Sequence, residues 1–278
     1  MIVLTVSQPA PRYRRFSKLK QNDVKVTVQP ALEEDTSDEE LPTKAIPIKA
    51  SSFSEFAAKY ELSRKFFHSM TGIFTIWLYV NGFSAFDMVP ALIVMASLCF
   101  IQDQLRFRSQ SFNEKFIKTY GFMMRDSEKD KYNGILFFLI GIIITSSLLP
   151  KDICVLCNLF LSWGDTSALF FGRLWGKYTW NVRENKSLAG CAAAFVTGVF
   201  SCVLFYKVLF PRYHDSVDGP NDIFYDIDTS KLTFPWFCFA CGMVGTISEL
   251  VSIYDWDDNF TIPVISGACL FSLVSFFK

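Results

Sequence analysis

Residues Leu161 to Gly190 read LSWGDTSALFFGRLWGKYTWNVRENKSLAG. This segment places Asp165 inside an apolar helix. An ionised carboxylate at the centre of a membrane helix costs roughly 2.5 to 3.5 kcal/mol on insertion scales unless it faces a polar cavity, a cation or a metal. We therefore expect Asp165 to have a charged partner and this segment to carry the chemistry of the protein.

Small residues recur every four positions along the same segment. They are Gly164, Ala168, Gly172 and Gly176, and this spacing puts all four on one helix face, where another backbone can approach closely. Such a stripe on its own is as typical of a packing contact between helices as of a ligand surface. Asp165 favours the ligand surface, because packing needs no carboxylate.

Positive charge and the start of a new helix follow the small residues. Ser187 is placed to cap the next helix, whose N-terminal amides and dipole favour an anion. A phosphate group fits this description. Gly172 to Thr179 reads GxxxGKYT, one residue short of a Walker loop, and it follows an apolar helix rather than a strand, so a nucleotide would be held by a different device. The four cations are Arg173, Lys177, Arg183 and Lys186.

The composition identifies a membrane protein. Of 278 residues, 51% are hydrophobic and 17% aromatic, which is more apolar surface than one soluble core of this length needs. We predict an all-α polytopic membrane helical bundle of about seven transmembrane helices within residues 56–278, each span near the ~20 residues that a bilayer requires. The apolar runs are 66–82, 84–101, 132–150, 152–172, 187–210, 232–254 and 259–277.

The loops predict the orientation, since Lys and Arg in short loops favour the cytosolic side. One side carries Lys59, Arg64 and Lys65 together with the basic 103–131 and 173–186 loops. The other side carries only Lys151, Lys207, Arg212 and Lys231. This asymmetry predicts an odd number of spans and a cytosolic N-terminus.

Residues 1–55 contain no comparable apolar run and lack the order of a signal peptide. We predict a disordered cytosolic tail. Its centre, ALEEDTSDEELP, puts Thr36 and Ser37 before acidic residues, a pattern that predicts phosphorylation by an acid-directed protein kinase. No nucleic-acid partner is expected.

Two CxxC pairs raise the question of a metal site. Cys154 and Cys157 form one pair, and Cys238 and Cys241 form the other. Both pairs fall within predicted spans that have no nearby histidine or acidic second shell. We interpret these cysteines as small buried hydrophobes rather than zinc ligands.

Polar residues precede the first and last spans. In ELSRKFFH, Glu61, Arg64, Lys65 and His68 follow helical spacing and share one face. In YDWDDNFTIP, capping of the last helix is the simpler interpretation of the polar residues, which are Asp255, Asp257, Asp258 and Asn259.

The predicted orientation brings all these groups to the cytosolic side. Phosphoryl transfer needs such a combination, with cations to neutralise phosphates and carboxylates to hold a divalent metal or accept a proton. A soluble nucleotide and a lipid alcohol would meet at this boundary.

Over roughly residues 60–278 the chain resembles the CTP-dependent lipid kinase family that includes fungal diacylglycerol kinase, dolichol kinase and phytol kinase. The related cytidylyltransferases carry a longer C-terminal signature that this chain lacks. The resemblance rests on several motifs in order: ELSRKFFH, the element at Asp103 and Arg106, the element at Arg125 and Glu128, GDTSALFFGRLWGK, the element from Lys186 to Gly190, and DWDDNFTIP.

The resemblance implies CTP as the phosphoryl donor and a divalent cation, Mg²⁺ or Ca²⁺. It implies that Arg64, Lys65, Asp165 and Gly172 are essential, the first three as catalytic residues. Our mechanistic hypothesis is that Asp165 binds the divalent ion, with Asp257 or Asp258 as a second carboxylate. Asp165 could instead be the base on the lipid hydroxyl. The residues expected to bind CTP are Gly164, Gly172, Lys177, Lys186, Ser187 and Asn259.

Within the family, the modest length and the acidic tail favour diacylglycerol as the acceptor, with phosphatidate and CDP as products. A polyprenol such as dolichol, or another lipid alcohol, is the closer alternative. A membrane transporter or scaffold, with Asp165 as an ion site, is more distant. The resemblance also implies the endoplasmic reticulum and nuclear membranes as the location.

Overall fold

A computed structural model of the chain describes residues 61–125, 128–183, 186–251 and 256–278. The predicted tail with Thr36 and Ser37, and Asp255 of the last loop, lie outside these residues. Each of the seven predicted apolar runs overlaps a helix, and the described strands form one short hairpin. The all-α prediction is confirmed.

The helices in chain order form a succession of long rods. The helical segments Lys151–Tyr178 and Leu188–Val217 each contain a π-helical turn, at Phe160–Gly164 in the first and at Leu204–Leu209 in the second. The hairpin pairs β1 (Asn181–Arg183) with β2 (Lys186–Ser187) in antiparallel fashion. The helices are α1 Leu62–Val80, α2 Val89–Arg108, α3 Gln110–Tyr120, α4 Gly134–Leu148, α5 Lys151–Leu159, α6 Asp165–Trp175, α7 Leu188–Val203, α8 Phe210–Val217, α9 Phe234–Leu250 and α10 Asp258–Phe277.

Among the residues that the structure describes, four helical segments are long and apolar enough to cross a membrane. They are Val89–Arg108, Lys151–Tyr178, Leu188–Val217 and Asp258–Phe277. The helices α4 and α9 are apolar but shorter. The protein is therefore a membrane protein, and the crossing of all seven predicted runs stays a prediction.

The rod formed by α5 and α6 lies at the centre of the bundle. Side chains of α5 such as Ile153, Leu156 and Leu159 are fully buried. Around the rod, the other helices approach one another closely at glycine: a Cβ added to Gly198 of α7 would lie 2.7 Å from the carbonyl oxygen of Cys241 in α9. Close packing through small residues replaces the hydrophobic driving force inside a bilayer. The fold thus surrounds the rod that carries Asp165.

A buried polar cluster closes one end of the bundle. Lys151 Nζ lies 3.0 Å from Asp218 Oδ1, and Asp152 accepts hydrogen bonds from the backbone N–H groups of Phe224 and Tyr225. These contacts fix the segment before α9 across the start of α5. The opposite end of the bundle, where α1, α7 and α10 begin, carries the predicted site residues.

Candidate active site

Asp165 is positioned by the π turn that immediately precedes it. Such turns are inserted into α-helices at functional sites more often than elsewhere. The side chain is 4% exposed, and Lys65 Nζ of α1, itself 3% exposed, donates a hydrogen bond to Asp165 Oδ2. His68 Nε2 lies 3.4 Å from the same oxygen. The expectation of a charged partner for Asp165 is confirmed, and the partner is Lys65.

A second ion-pair cluster connects α1 to α6. Arg64 donates from Nε and from its terminal nitrogen to Glu61 Oε2, at 2.9 and 2.6 Å, and Arg173 donates to Glu61 Oε1. Burial alone would raise the pKa of Glu61, but the two guanidinium groups outweigh it and hold the pKa below its usual value. Glu61 thereby holds both arginines together between α1 and α6.

A third cluster joins the hairpin to α9 and α10. Lys186 Nζ lies 2.6 Å from Glu249 Oε1 and 3.5 Å from Asp258 Oδ2. Burial would lower the pKa of Lys186, but the two carboxylates outweigh it and raise the pKa above its usual value. Glu249 is 6% exposed, and its Oε2 has no hydrogen-bond partner among the described residues. A buried acceptor without a partner is costly, so Glu249 is suited to bind a further group.

The three clusters surround one cavity of about 700 Å³. This volume lies in the range of small-molecule and cofactor sites. Its wall contains the small residues Ala168, Gly172, Gly176 and Gly190. The charged side chains that line it are Arg64, Arg125, Arg173 and Lys186, with Glu61, Asp165, Glu249 and Asp258.

The stripe of small residues both packs and lines the cavity. A Cβ added to Gly176 would lie 2.9 Å from Ser187 Oγ, so α6 and the start of α7 fit only with glycine there. The Gly190 N–H donates to Ser187 Oγ at 3.3 Å, which confirms the predicted cap. Gly164 differs, because it ends the π turn and faces open space, with no atom within 4 Å of an added Cβ.

Five predicted site residues do not line this cavity: Lys65 lies behind Asp165, Gly164 ends the π turn, and three others lie elsewhere. Lys177 Nζ lies over the Tyr178 ring, 4.6 Å from its centroid. Asp257 caps α10 by accepting the Asn259 N–H at 2.9 Å and lies 3.2 Å from Arg125, beside a neighbouring cavity. Asn259 lines a separate, more apolar passage. The structure therefore brings together Arg64, Asp165, Gly172, Lys186, Ser187 and Asp258 of the predicted residues, with Lys65 behind Asp165.

Glu249 is the site residue that the sequence analysis missed. A carboxylate inside a predicted apolar span is itself a signal, since it carries the same insertion cost that singled out Asp165. Its position near the end of the 232–254 run made it resemble a boundary residue instead.

The cavity carboxylates fit a divalent cation that arrives with phosphates. Among the residues that the structure describes, no three histidine, cysteine or acidic side chains could hold a metal ion by themselves. Mg²⁺ needs no such cage, because one or two carboxylates plus substrate phosphates usually hold it. Asp165, Asp258 and the unpartnered oxygen of Glu249 supply donors of this kind.

These features define an integral membrane protein whose charged cavity, at one end of the bundle, suits a metal-bound polyphosphate. The chain is 37% identical over 271 residues to the CTP-dependent diacylglycerol kinase 1 of Saccharomyces cerevisiae, covering 96% of this chain and 93% of that one. It is 38% identical to the protein of that name from Eremothecium gossypii, covering 86% and 76% of the two chains. It is 37% identical to that from Schizosaccharomyces pombe, covering 80% and 97%.

The chain belongs to the CTP-dependent diacylglycerol kinase family. The resemblance drawn from its motifs is thereby confirmed, and with it the class of CTP-dependent lipid kinase. No family model and no solved structure matches the chain.

Proposed function

We propose that this protein transfers the γ-phosphoryl group of CTP to diacylglycerol, giving phosphatidate and CDP. The charged cavity carries the proposal, because it places four cations and four carboxylates around a volume of nucleotide size in a chain of this family.

The cations of the cavity would bind the triphosphate. Arg64, Arg125, Arg173 and Lys186 all line the cavity, and Lys186 directly precedes Ser187, which caps α7. Ser187 and the small residues allow the phosphates to approach the helix terminus, whose dipole favours negative charge. Charge neutralisation of this kind accounts for much of enzymatic phosphoryl transfer.

A divalent cation, Mg²⁺ or Ca²⁺, would be held by Asp165, Glu249 and Asp258 together with the phosphates of CTP. It supplies further positive charge on the phosphate oxygens. Asp257, which caps α10 and pairs with Arg125, would contribute from the neighbouring cavity.

In the reaction, the free hydroxyl oxygen of diacylglycerol attacks the γ-phosphorus. The bond from that phosphorus to the β–γ bridging oxygen breaks, and CDP leaves with the electron pair. The hydroxyl proton passes to a carboxylate of the cavity and then to solvent. Lys65 orients Asp165, and Arg64 neutralises charge on the transferred group. The position of Asp165 suits it both to metal binding and to accepting the proton.

We also propose that the cavity faces the cytosol, in the endoplasmic reticulum and nuclear membranes. The distribution of Lys and Arg supports this orientation, since the end with the cavity carries the basic loops. CTP would then enter from the cytosol. Phosphorylation of Thr36 or Ser37 stays a prediction.

The test is phosphate transfer by the purified protein in detergent. We would supply γ-labelled CTP or ATP with diacylglycerol or dolichol in mixed micelles. We expect labelled phosphatidate from CTP alone. Labelled dolichyl phosphate instead would contradict the assignment of diacylglycerol as the acceptor. If folded protein transfers no phosphate from either nucleotide, a transporter or scaffold function would be favoured.

A further inference from the structure

An apolar groove lies between α1 and α2, with α4 and α5 beneath it. Its volume is about 310 Å³. The helix α2 packs mainly on α4, which leaves the space between α1 and α2 open. The groove is lined largely by apolar side chains, among them Phe74, Leu78, Leu92, Met95, Phe138 and Ile142.

A passage of about 290 Å³ adjoins both this groove and the charged cavity. Thr71, Met95 and Phe138 line both the groove and the passage, and Arg64 lines both the passage and the charged cavity. His68 also lines the passage, and its Nε2 lies 3.4 Å from Asp165 Oδ2. The passage thus lies between the apolar groove and the charged cavity, and its residue His68 is next to Asp165.

The groove and passage together extend along most of α1. Their α1 residues extend from Arg64 to Tyr79, which at 1.5 Å per residue is about 22 Å. An acyl chain fills about half of the hydrocarbon core, or about 15 Å, so this length can accommodate one. The apolar surface on the other side of α1 spans only Leu62 to Ser69 of that helix, about 10 Å, too short for an acyl chain to lie along it.

The passage also presents a buried hydrogen-bond acceptor without a partner. Asn259 is 6% exposed, and its Nδ2 donates to the Gly134 carbonyl at 3.1 Å. Its Oδ1 has no partner among the described residues. Diacylglycerol has one hydrogen-bond donor, the free hydroxyl, since its ester oxygens only accept. An unpaired buried acceptor matches this donor.

We propose that the groove and passage bind the acceptor lipid, with the acyl chains between α1 and α2 and the free hydroxyl on Asn259 Oδ1. This inference rests on the proposed function. It assigns Asn259 to the lipid rather than to CTP. The hydroxyl oxygen would then lie in the passage that Arg64 lines together with the charged cavity.

Two substitutions and a matched control test the inference by steady-state kinetics. Ala91→Trp fills the groove from α2, whereas Val94→Trp places the same side chain on an exposed position of the same helix that lines neither cavity. Displacing about two methylenes from the groove corresponds to about a tenfold rise in KM for diacylglycerol. We expect this rise in Ala91→Trp and in Asn259→Ala, an unchanged KM for CTP in both, and wild-type constants in Val94→Trp.

The outcomes separate the two proposals. Wild-type protein that transfers no phosphate from CTP to diacylglycerol contradicts the proposed function itself. Active wild-type protein with an unchanged KM for diacylglycerol in Ala91→Trp and Asn259→Ala overturns the groove alone. A raised KM for CTP in Asn259→Ala would show that Asn259 binds CTP and would also overturn its assignment to the lipid.

Photolabelling gives a second measurement that does not depend on a variant. Diacylglycerol with a diazirine on one acyl chain should label peptides of α1, α2 and α4, and unlabelled diacylglycerol in excess should suppress that labelling. Competed labelling confined to Phe170 and Phe171, on the other side of α1, would contradict the proposal.

Discussion

Replacing Asp165 by asparagine should cost both stability and activity. Lys65 is buried and donates to Asp165 Oδ2, so the substitution leaves an ammonium group without its carboxylate. Removing one partner of a buried ion pair typically costs about 3 to 5 kcal/mol. At about 2 to 4 °C per kcal/mol for a domain of this size, the melting temperature should fall by about 6 to 20 °C.

The activity of Asp165→Asn should fall further than its stability explains. Removing one preorganised electrostatic group from an active site costs about 10²- to 10³-fold in turnover. We would measure melting by intrinsic fluorescence in detergent and turnover with γ-labelled CTP, at a temperature where the variant remains folded.

The double variant Lys65→Met/Asp165→Leu is the control. An apolar pair of similar volume often replaces a buried ion pair without loss of stability, so this variant should melt close to the wild type and remain inactive. An Asp165→Asn protein that melts with the wild type and turns over within tenfold of it would refute the reasoning, because Asp165 would then belong neither to a buried pair nor to the reaction.

Three further predictions concern the walls of the cavity. Glu249→Gln should raise the concentration of divalent cation needed for half-maximal turnover by about tenfold, because it removes one charged ligand; an unchanged titration would exclude this residue from metal binding. Gly190→Ala should destabilise the folded protein by about 1 to 3 kcal/mol, since its Cβ would lie 2.8 Å from a backbone carbonyl oxygen. Gly164→Ala, whose Cβ would lie in open space, should melt at or above the wild-type temperature. Equal melting temperatures of the two variants would contradict this packing. Glu61→Gln should lower the melting temperature at pH 7, because a carboxylate whose pKa is depressed in the folded protein stabilises the fold above its usual pKa of 4.5. Well below pH 4.5 the substitution should have no effect, because this stabilisation is lost as the pH falls through the lower pKa of the folded state. A difference in melting temperature that is independent of pH would show that these ion pairs do not stabilise the fold.

The helices were predictable from the sequence because each apolar run is long and bounded by polar residues. The capping role of Ser187 followed from local chemistry, and so did the need of Asp165 for a charged partner. Local rules were sufficient for both. The start of a helix favours a side-chain oxygen that accepts a backbone N–H, and a buried carboxylate needs a group of opposite charge.

The site features that could not be predicted from the sequence depend on contacts between distant segments. Glu249 meets Lys186, 63 positions away, and nothing local signals that pairing. A π turn changes the direction of Gly164, so a stripe inferred from α-helical spacing loses its first member. Asp257 and Asn259 are adjacent to Asp258 in sequence but face different cavities, because the first turn of α10 points successive side chains in different directions.

The position of the label in CTP distinguishes transfer of the γ-phosphoryl group to diacylglycerol from transfer of the cytidylyl group. Purified wild-type protein would be given diacylglycerol with CTP labelled either in the γ-phosphate or in the α-phosphate. The account predicts labelled phosphatidate from γ-labelled CTP only, with the α-label recovered in CDP. Label from the α-phosphate in the lipid product would show cytidylyl transfer and would contradict the account.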